Sequence, residues 1–170
     1  TGVRNRALLV VGYRCGLRLA EALALNLKDV DLNAGYVHVR HGKGGKTRKV
    51  GIDAQAAAVV QLWIDRRTKL GIKRTAPLFC TLDGEPLEQA YVRSLLARLG
   101  KKAGIEKRLH FHGLRHTYAW ELSQESVPVR KIQGLLGHSH LQTTAIYLAH
   151  IAPHDLIEVA HNRPAWGASR

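Results

Sequence analysis

Leucines recur at positions 19, 23 and 27, four apart, which predicts a helix over Arg18 to Leu27 with one apolar face. Ahead of it, the mostly apolar run Asn5 to Tyr13 reads as a helix closed by Cys15-Gly16. The period then changes. Tyr36-Val37-His38-Val39-Arg40 alternates apolar and polar, Thr47 to Ile52 is again strand-like, and Gly42-Lys43-Gly44-Gly45 between them suits a hairpin turn. Asp53 is placed to cap a helix running through Gln55 to about Lys69, with Gly71 ending it. Pro77 to Leu87 carries a turn at Asp83-Gly84. Helices are predicted from Glu88 to Lys102 with Gly104 as the stop, from His112 to Gln124, and from Pro128 to Gly137. A short one follows from about Leu141 to Ala149, Pro153 interrupts, and Asp155 to Ala160 forms a last turn or two. The expected fold class is α+β, mainly helical with a small antiparallel sheet. There is no repeat and no linker, so residues 1–170 are expected to form a single domain.

Length and composition agree with that picture. A chain of 170 residues can bury a real core, and 45% apolar residues suit a folded protein rather than a disordered one. No apolar run approaches the ~18 residues of a membrane span. The first residues, Thr-Gly-Val-Arg-Asn-Arg, lack the design of a signal peptide, and without an initiator Met they read as the start of an excised fragment. Cys15 and Cys80 are far apart and in apolar surroundings, as expected of free thiols in a cytosolic protein.

Charge changes the picture most. Lys and Arg number 26 against 13 Asp and Glu, a formal +13, with a pI near 10.3. The cations are spread over the predicted elements rather than gathered in a tail. That implies a shaped surface for a polyanion, nucleic acid first among them.

The stretch HGKGGKTRKV, His41 to Val50, tests one anion-binding reading. Gly45-Lys46-Thr47 ends like a nucleotide-binding loop, but Arg40 stands where G-x-x-x-x-G-K-[ST] needs its first glycine. Strand-like residues follow where a helix N-terminus should meet the phosphate. The lysines belong to a hairpin tip, not to an ATP site.

Four stretches combine into a pattern: Cys15-Gly16-Leu17-Arg18-Leu19-Ala20-Glu21, Gly42-Lys43-Gly44, His112-Gly113-Leu114-Arg115-His116-Thr117, and Leu136-Gly137-His138-Ser139 through Tyr147. Arg, Lys, H-x-x-R, G-H-S and a Tyr nine residues beyond that His, in this order, resemble the catalytic domain of the tyrosine recombinases, the phage-integrase family. The similarity runs from about Asn5 to His150. The resemblance implies that fold, and cleavage of one strand of double-stranded DNA through a 3′-phosphotyrosyl bond, followed by rejoining to another strand. It assigns Tyr147 as nucleophile, Arg18 and Arg115 as phosphate clamp, Lys43 as general acid, and His112 and His138 as the remaining catalytic pair. Glu21 takes the family's acidic supporting position, and His116 is a buried or supporting histidine. Lys46 and Arg48 are expected to touch the DNA backbone. It implies other recombinase subunits in a tetrameric synapse on DNA, accessory DNA-bending proteins, a cytoplasmic, nucleoid-associated location, and an additional N-terminal DNA-binding domain that lies outside this chain.

The chemistry is coherent on its own terms. A phosphodiester under attack gathers charge on its non-bridging oxygens, and guanidinium forks supply fixed, bidentate donors there. A 5′-alkoxide is a worse leaving group than a phenolate and needs a proton, which a lysine acidified by neighbouring arginines can give. Such a scheme calls for no cofactor and no metal. His112 and His116 are spaced for zinc, yet the motif lacks the glutamate of H-E-x-x-H and sets an arginine beside the site. Tyr13, Tyr36, Tyr91 and Tyr118 are rival tyrosines without the spacing of Tyr147, and Tyr118 is expected in the core. Two other readings stand beside recombination: a type IB topoisomerase-like enzyme, which the G-H-S-x-L-x-T-T run fits less well, and a catalytically inactive DNA-binding protein, which would not need every catalytic position filled.

Overall fold

The computed structural model describes residues 1–40 and 47–137. Helix α1, Gly2–Arg14, buries Ala7, Leu8 and Val11, one stripe at helical spacing. It lies against α3, Ala54–Lys69, whose buried face is Ala56, Val60, Trp63 and Arg67, and against α5, Phe111–Gln124. Contact with α5 is close. A Cβ on Gly12 would stand 2.5 Å from the Phe111 ring, so the glycine leaves the notch in which that ring sits.

Three short strands form an antiparallel sheet in the order β1 (Val30–Asp31), β2 (Tyr36–Val39) and β3 (Arg48–Gly51). In β2 and β3 the register sets Val39 opposite Arg48 and Val37 opposite Val50. The alternation therefore works as expected: Val37, Val39 and Val50 are buried while His38 and Lys49 point away. Trp63 crosses the centre of the core and donates from its indole N–H to Leu78 O at 2.7 Å. Arg67 is also fully buried, and its Nη2 donates to Lys73 O and Ala76 O, tying the loop after α3 to the helix.

The expected mainly helical α+β fold is the one observed. Asp53 caps α3 through Ala56 N–H at 3.0 Å, and α4 spans Gln89–Lys102. Helix α6, Val129–Leu136, follows Pro128 and ends at Gly137 in the left-handed conformation, φ 65°. Cys15 and Cys80 are buried free thiols. One expectation needs correction. The helix expected over Arg18 to Leu27 is only α2, Leu19–Leu23. Asn26 N–H bonds Asp29 Oδ2 at 2.9 Å and opens a separate 3-10 turn, Leu27–Asp29, while Leu25 O accepts from Leu78 N–H. Strand β1, two residues long, escaped the alternation test because it is too short to alternate. The hairpin tip and the helices expected over Leu141–Ala149 and Asp155–Ala160 lie outside the described residues.

Candidate active site

Arg18 stands immediately before α2, in extended conformation, and Glu21 sits one turn in. The carboxylate folds back: Glu21 Oε2 accepts the Arg18 backbone N–H at 2.9 Å and Oε1 accepts Arg18 Nη1 at 2.8 Å. Arg18 keeps 28% of its side chain exposed, whereas Glu21 keeps 3%. The pair is thus a half-open guanidinium held by a buried anion.

A second arginine completes that anion's shell. Arg48, at the start of β3, donates Nη1 to Glu21 Oε1 at 2.9 Å and Nη2 to Oε2 at 2.8 Å. Its Nε donates to Leu135 O at 3.1 Å. Arg48 was expected beside Lys46 on the DNA backbone; instead its guanidinium is engaged inside the protein, with 12% of the side chain exposed. Nothing in HGKGGKTRKV distinguishes it from its neighbours, because the partner carboxylate lies 27 residues away in sequence. Burial by itself would push the Glu21 carboxyl up; the guanidinium fork of Arg48, together with the Arg18 bonds, prevails and holds it at about 2. Glu21 is an anion at every physiological pH.

Arg115 lies on the buried stripe of α5, between Phe111 and Tyr118, with no exposed surface. Its Nη1 donates to Gly16 O and its Nη2 to Leu136 O, both at 2.6 Å. Gly16 has φ 59°, and the Tyr118 ring occupies the place a side chain there would take, with Cδ1 2.4 Å from a built Cβ. The carbonyl that Arg115 grips is therefore presented by a turn only glycine fits. The last carbonyls of α6, which carry the negative end of its dipole, thus meet two guanidiniums: Leu135 O with Arg48, Leu136 O with Arg115.

His112 stands in the first turn of α5 and is exposed, with His116 one turn on; their rings meet edge to face at 4.6 Å. Partial burial, then the neighbouring His116, Arg115, His110 and Arg18, push the His112 imidazole below its usual value. His116 is displaced the same way, by burial and then by His110 and Arg115. Both are neutral near pH 7, so His112 can donate a hydrogen bond while uncharged, or accept a proton and become imidazolium. No cluster of three or more metal-ligating side chains occurs among the described residues. In front of His112 opens a cleft lined by Arg18, Arg93, Arg108 and His110. Arg93 and Arg108 were not singled out in the sequence, since only the packing of α4 against the turn before α5 brings them beside Arg18.

The rival tyrosines all have structural tasks. Tyr118 is buried, and burial pushes its hydroxyl up to about 12. Tyr13 donates to Glu121 Oε1 at 2.5 Å, and that bond raises its hydroxyl. Tyr91 accepts from Arg4 Nη2 at 2.6 Å, and the Tyr36 ring lies 4.1 Å under Lys49 Nζ. Lys43, Lys46, His138 and Tyr147 lie outside the described residues.

Comparison with known proteins places this arrangement. The family model described as Phage integrase family matches residues 1–154. The chain belongs to the phage integrase family. Tyrosine recombinase XerC of Escherichia coli O127:H6 (strain E2348/69 / EPEC) is 38% identical over 169 residues, which are 97% of this chain and 55% of XerC. This integrase-family chain therefore spans about half the length of the curated relatives it matches. Among solved structures, XerA recombinase superposes with a TM-score of 0.85 at 32% identity, over 96% of this chain and 60% of that one. XerH bound to palindromic difH substrate in a post-cleavage complex gives 0.78 at 34% identity, over 94% and 46%. No helix among the described residues is long and apolar enough to cross a membrane.

Proposed function

We propose that the chain is the catalytic domain of a tyrosine site-specific DNA recombinase, which cuts and rejoins duplex DNA through a 3′-phosphotyrosyl bond. The observation that carries the reading is that Arg115 binds the last carbonyl of α6, two residues before His138, while the Arg18–Glu21 pair is linked to the same helix end through Arg48, with His112 at the mouth of the cationic cleft. The scissile phosphate would lie in that cleft. Arg18 offers it an open guanidinium, and Arg115 would reach it by exchanging a carbonyl for a phosphate oxygen. His112, neutral near pH 7, and His138 would manage the proton on the attacking oxygen, and Lys43 would protonate the leaving 5′-oxygen. The contacts of the four described tyrosines support Tyr147 as the nucleophile. XerH, 34% identical, was solved on a DNA substrate, which supports duplex DNA as partner here. A tetrameric synapse, accessory DNA-bending proteins and a nucleoid location complete the reading, with a further DNA-binding domain beyond this chain.

Incubation with a nicked suicide duplex tests it. The chain should form a covalent protein–DNA adduct, with or without chelator, and Tyr147→Phe should form none while still binding the duplex. Adduct persisting in the Phe variant would move the nucleophile elsewhere. Relaxation of supercoiled plasmid without strand exchange would make the enzyme topoisomerase-like.

A further inference from the structure

Arg48 joins three pieces of the molecule that are distant in sequence. It begins β3, paired with Val39 of β2, and Lys43 belongs to the segment of chain that joins these two strands. Its fork covers both oxygens of Glu21, the carboxylate that also holds Arg18, and its Nε reaches Leu135 O at the end of α6. The turn after α6 is shaped around it: a Cβ at Gly137 would lie 3.0 Å from Arg48 Nη1 and 3.1 Å from its Cδ and Cζ. A lysine could not replace it, because one ammonium cannot span two carboxylate oxygens and a carbonyl in a plane.

We propose that Arg48 is a positioning residue of the strand-cleavage reaction, locking the hairpin, the Arg18–Glu21 pair and the turn into His138 in one register, rather than a contact to DNA phosphate. The inference rests on the recombinase reading above. A displacement of about 1 Å in such a constellation costs about 10²-fold in rate. Losing the lock therefore slows chemistry without removing a charge from the DNA-facing surface.

Arg48→Lys and Arg48→Ala separate the alternatives, each first checked by thermal melting. Single-turnover cleavage of the suicide duplex should fall about 10²-fold in Arg48→Lys, despite the retained charge. The slope of log K against log salt for duplex binding should stay at the wild-type value, whereas loss of a phosphate contact lowers it by about 0.9 in Arg48→Ala. Amide exchange at Leu135 to Gly137 should accelerate in both variants while α1 stays protected. Wild-type cleavage in Arg48→Lys, or a reduced salt slope in Arg48→Ala, overturns the proposal. So does unfolding of both variants, which would make Arg48 a residue of the fold alone. A wild-type chain that forms no adduct would instead sink the recombinase reading, and the exchange measurement would still decide whether Arg48 holds the turn.

Discussion

The half of the chain built on α1, α3 and the sheet is held in a different way from the α5–α6 corner. The first has one continuous apolar core, with Leu8, Val11, Trp63 and Phe79 almost wholly buried. The second has a cluster of four buried residues, Tyr118, Ala119, Ile132 and Leu136. A cluster so small cannot fix α6 to the precision that catalysis needs, and the corner is tied instead by guanidinium-to-carbonyl bonds, Arg115 to Gly16 O and Leu136 O, Arg48 to Leu135 O. Apolar burial is forgiving of direction; hydrogen bonds are not. The side chains proposed for chemistry thus also hold the corner together, so stability and activity are harder to separate there than in the main core.

The sharpest way to break this contrast is Arg115→Met. It fills much of the same volume but leaves two buried carbonyls without their donors, at about 1–3 kcal/mol each. Chemical denaturation should show a loss at the upper end of single-residue effects. A loss below about 1 kcal/mol would mean that the corner is held by its apolar cluster after all. Next in size come paired truncations, Leu8→Ala and Ile132→Ala, each expected to cost about 2–5 kcal/mol. Their distribution should differ. By amide exchange, Leu8→Ala should weaken α1, α3 and α5 together, whereas Ile132→Ala should expose α6 and leave α1 protected. Uniform loss in both would make the two regions one cooperative unit.

Acid should act on the polar ties first. Glu21 has its folded value near 2 against an ordinary 4.5, a depressed carboxyl, so its contribution is complete above about pH 4.5 and fades as pH falls toward 2. Unfolding followed over that window should show less acid loss in Glu21→Gln, already weaker at neutral pH, than in the wild type. Equal slopes would remove Glu21 from the account. The smallest effect belongs to the exposed link between the same regions. Arg14 bonds Asp53 at 2.8 Å and approaches Glu121 at 3.5 Å, with 40% of its side chain in solvent. Arg14→Gln should cost under about 1 kcal/mol in stability assays, and less in high salt.

Most of the scaffold was legible in the sequence because it follows from local chemistry. Asp53 announces α3, Pro128 and Gly137 bracket α6, and the alternation at Tyr36–Val39 announces a strand. Where local signals competed, reading failed. The leucine spacing carried a predicted helix through Leu27, but Asn26 and Asp29 form a turn of their own and Leu25 bonds a segment near residue 78. The candidate site was legible through its motif, including Arg18, Glu21, His112 and Arg115. What the motif did not convey is where those side chains spend their hydrogen bonds. That depends on partners such as Gly16 O, 99 residues from Arg115, and Glu21, 27 residues from Arg48. Arg93 and Arg108 join the cleft through packing alone.

The notch at Gly12 carries the reach of the site furthest from its chemistry. Phe111, whose ring fills that notch, is the residue before His112 and one turn before Arg115 on the same helix. A single methyl at position 12 would have to drive the ring from 2.5 Å back to at least 3.4 Å, and α5 would carry the push to an imidazole and a guanidinium a hundred residues along the chain. In a mutational survey, Gly12→Ala should therefore sort with the catalytic variants, as a defect of alignment that added substrate does not restore, although residue 12 is buried and does not line the cleft.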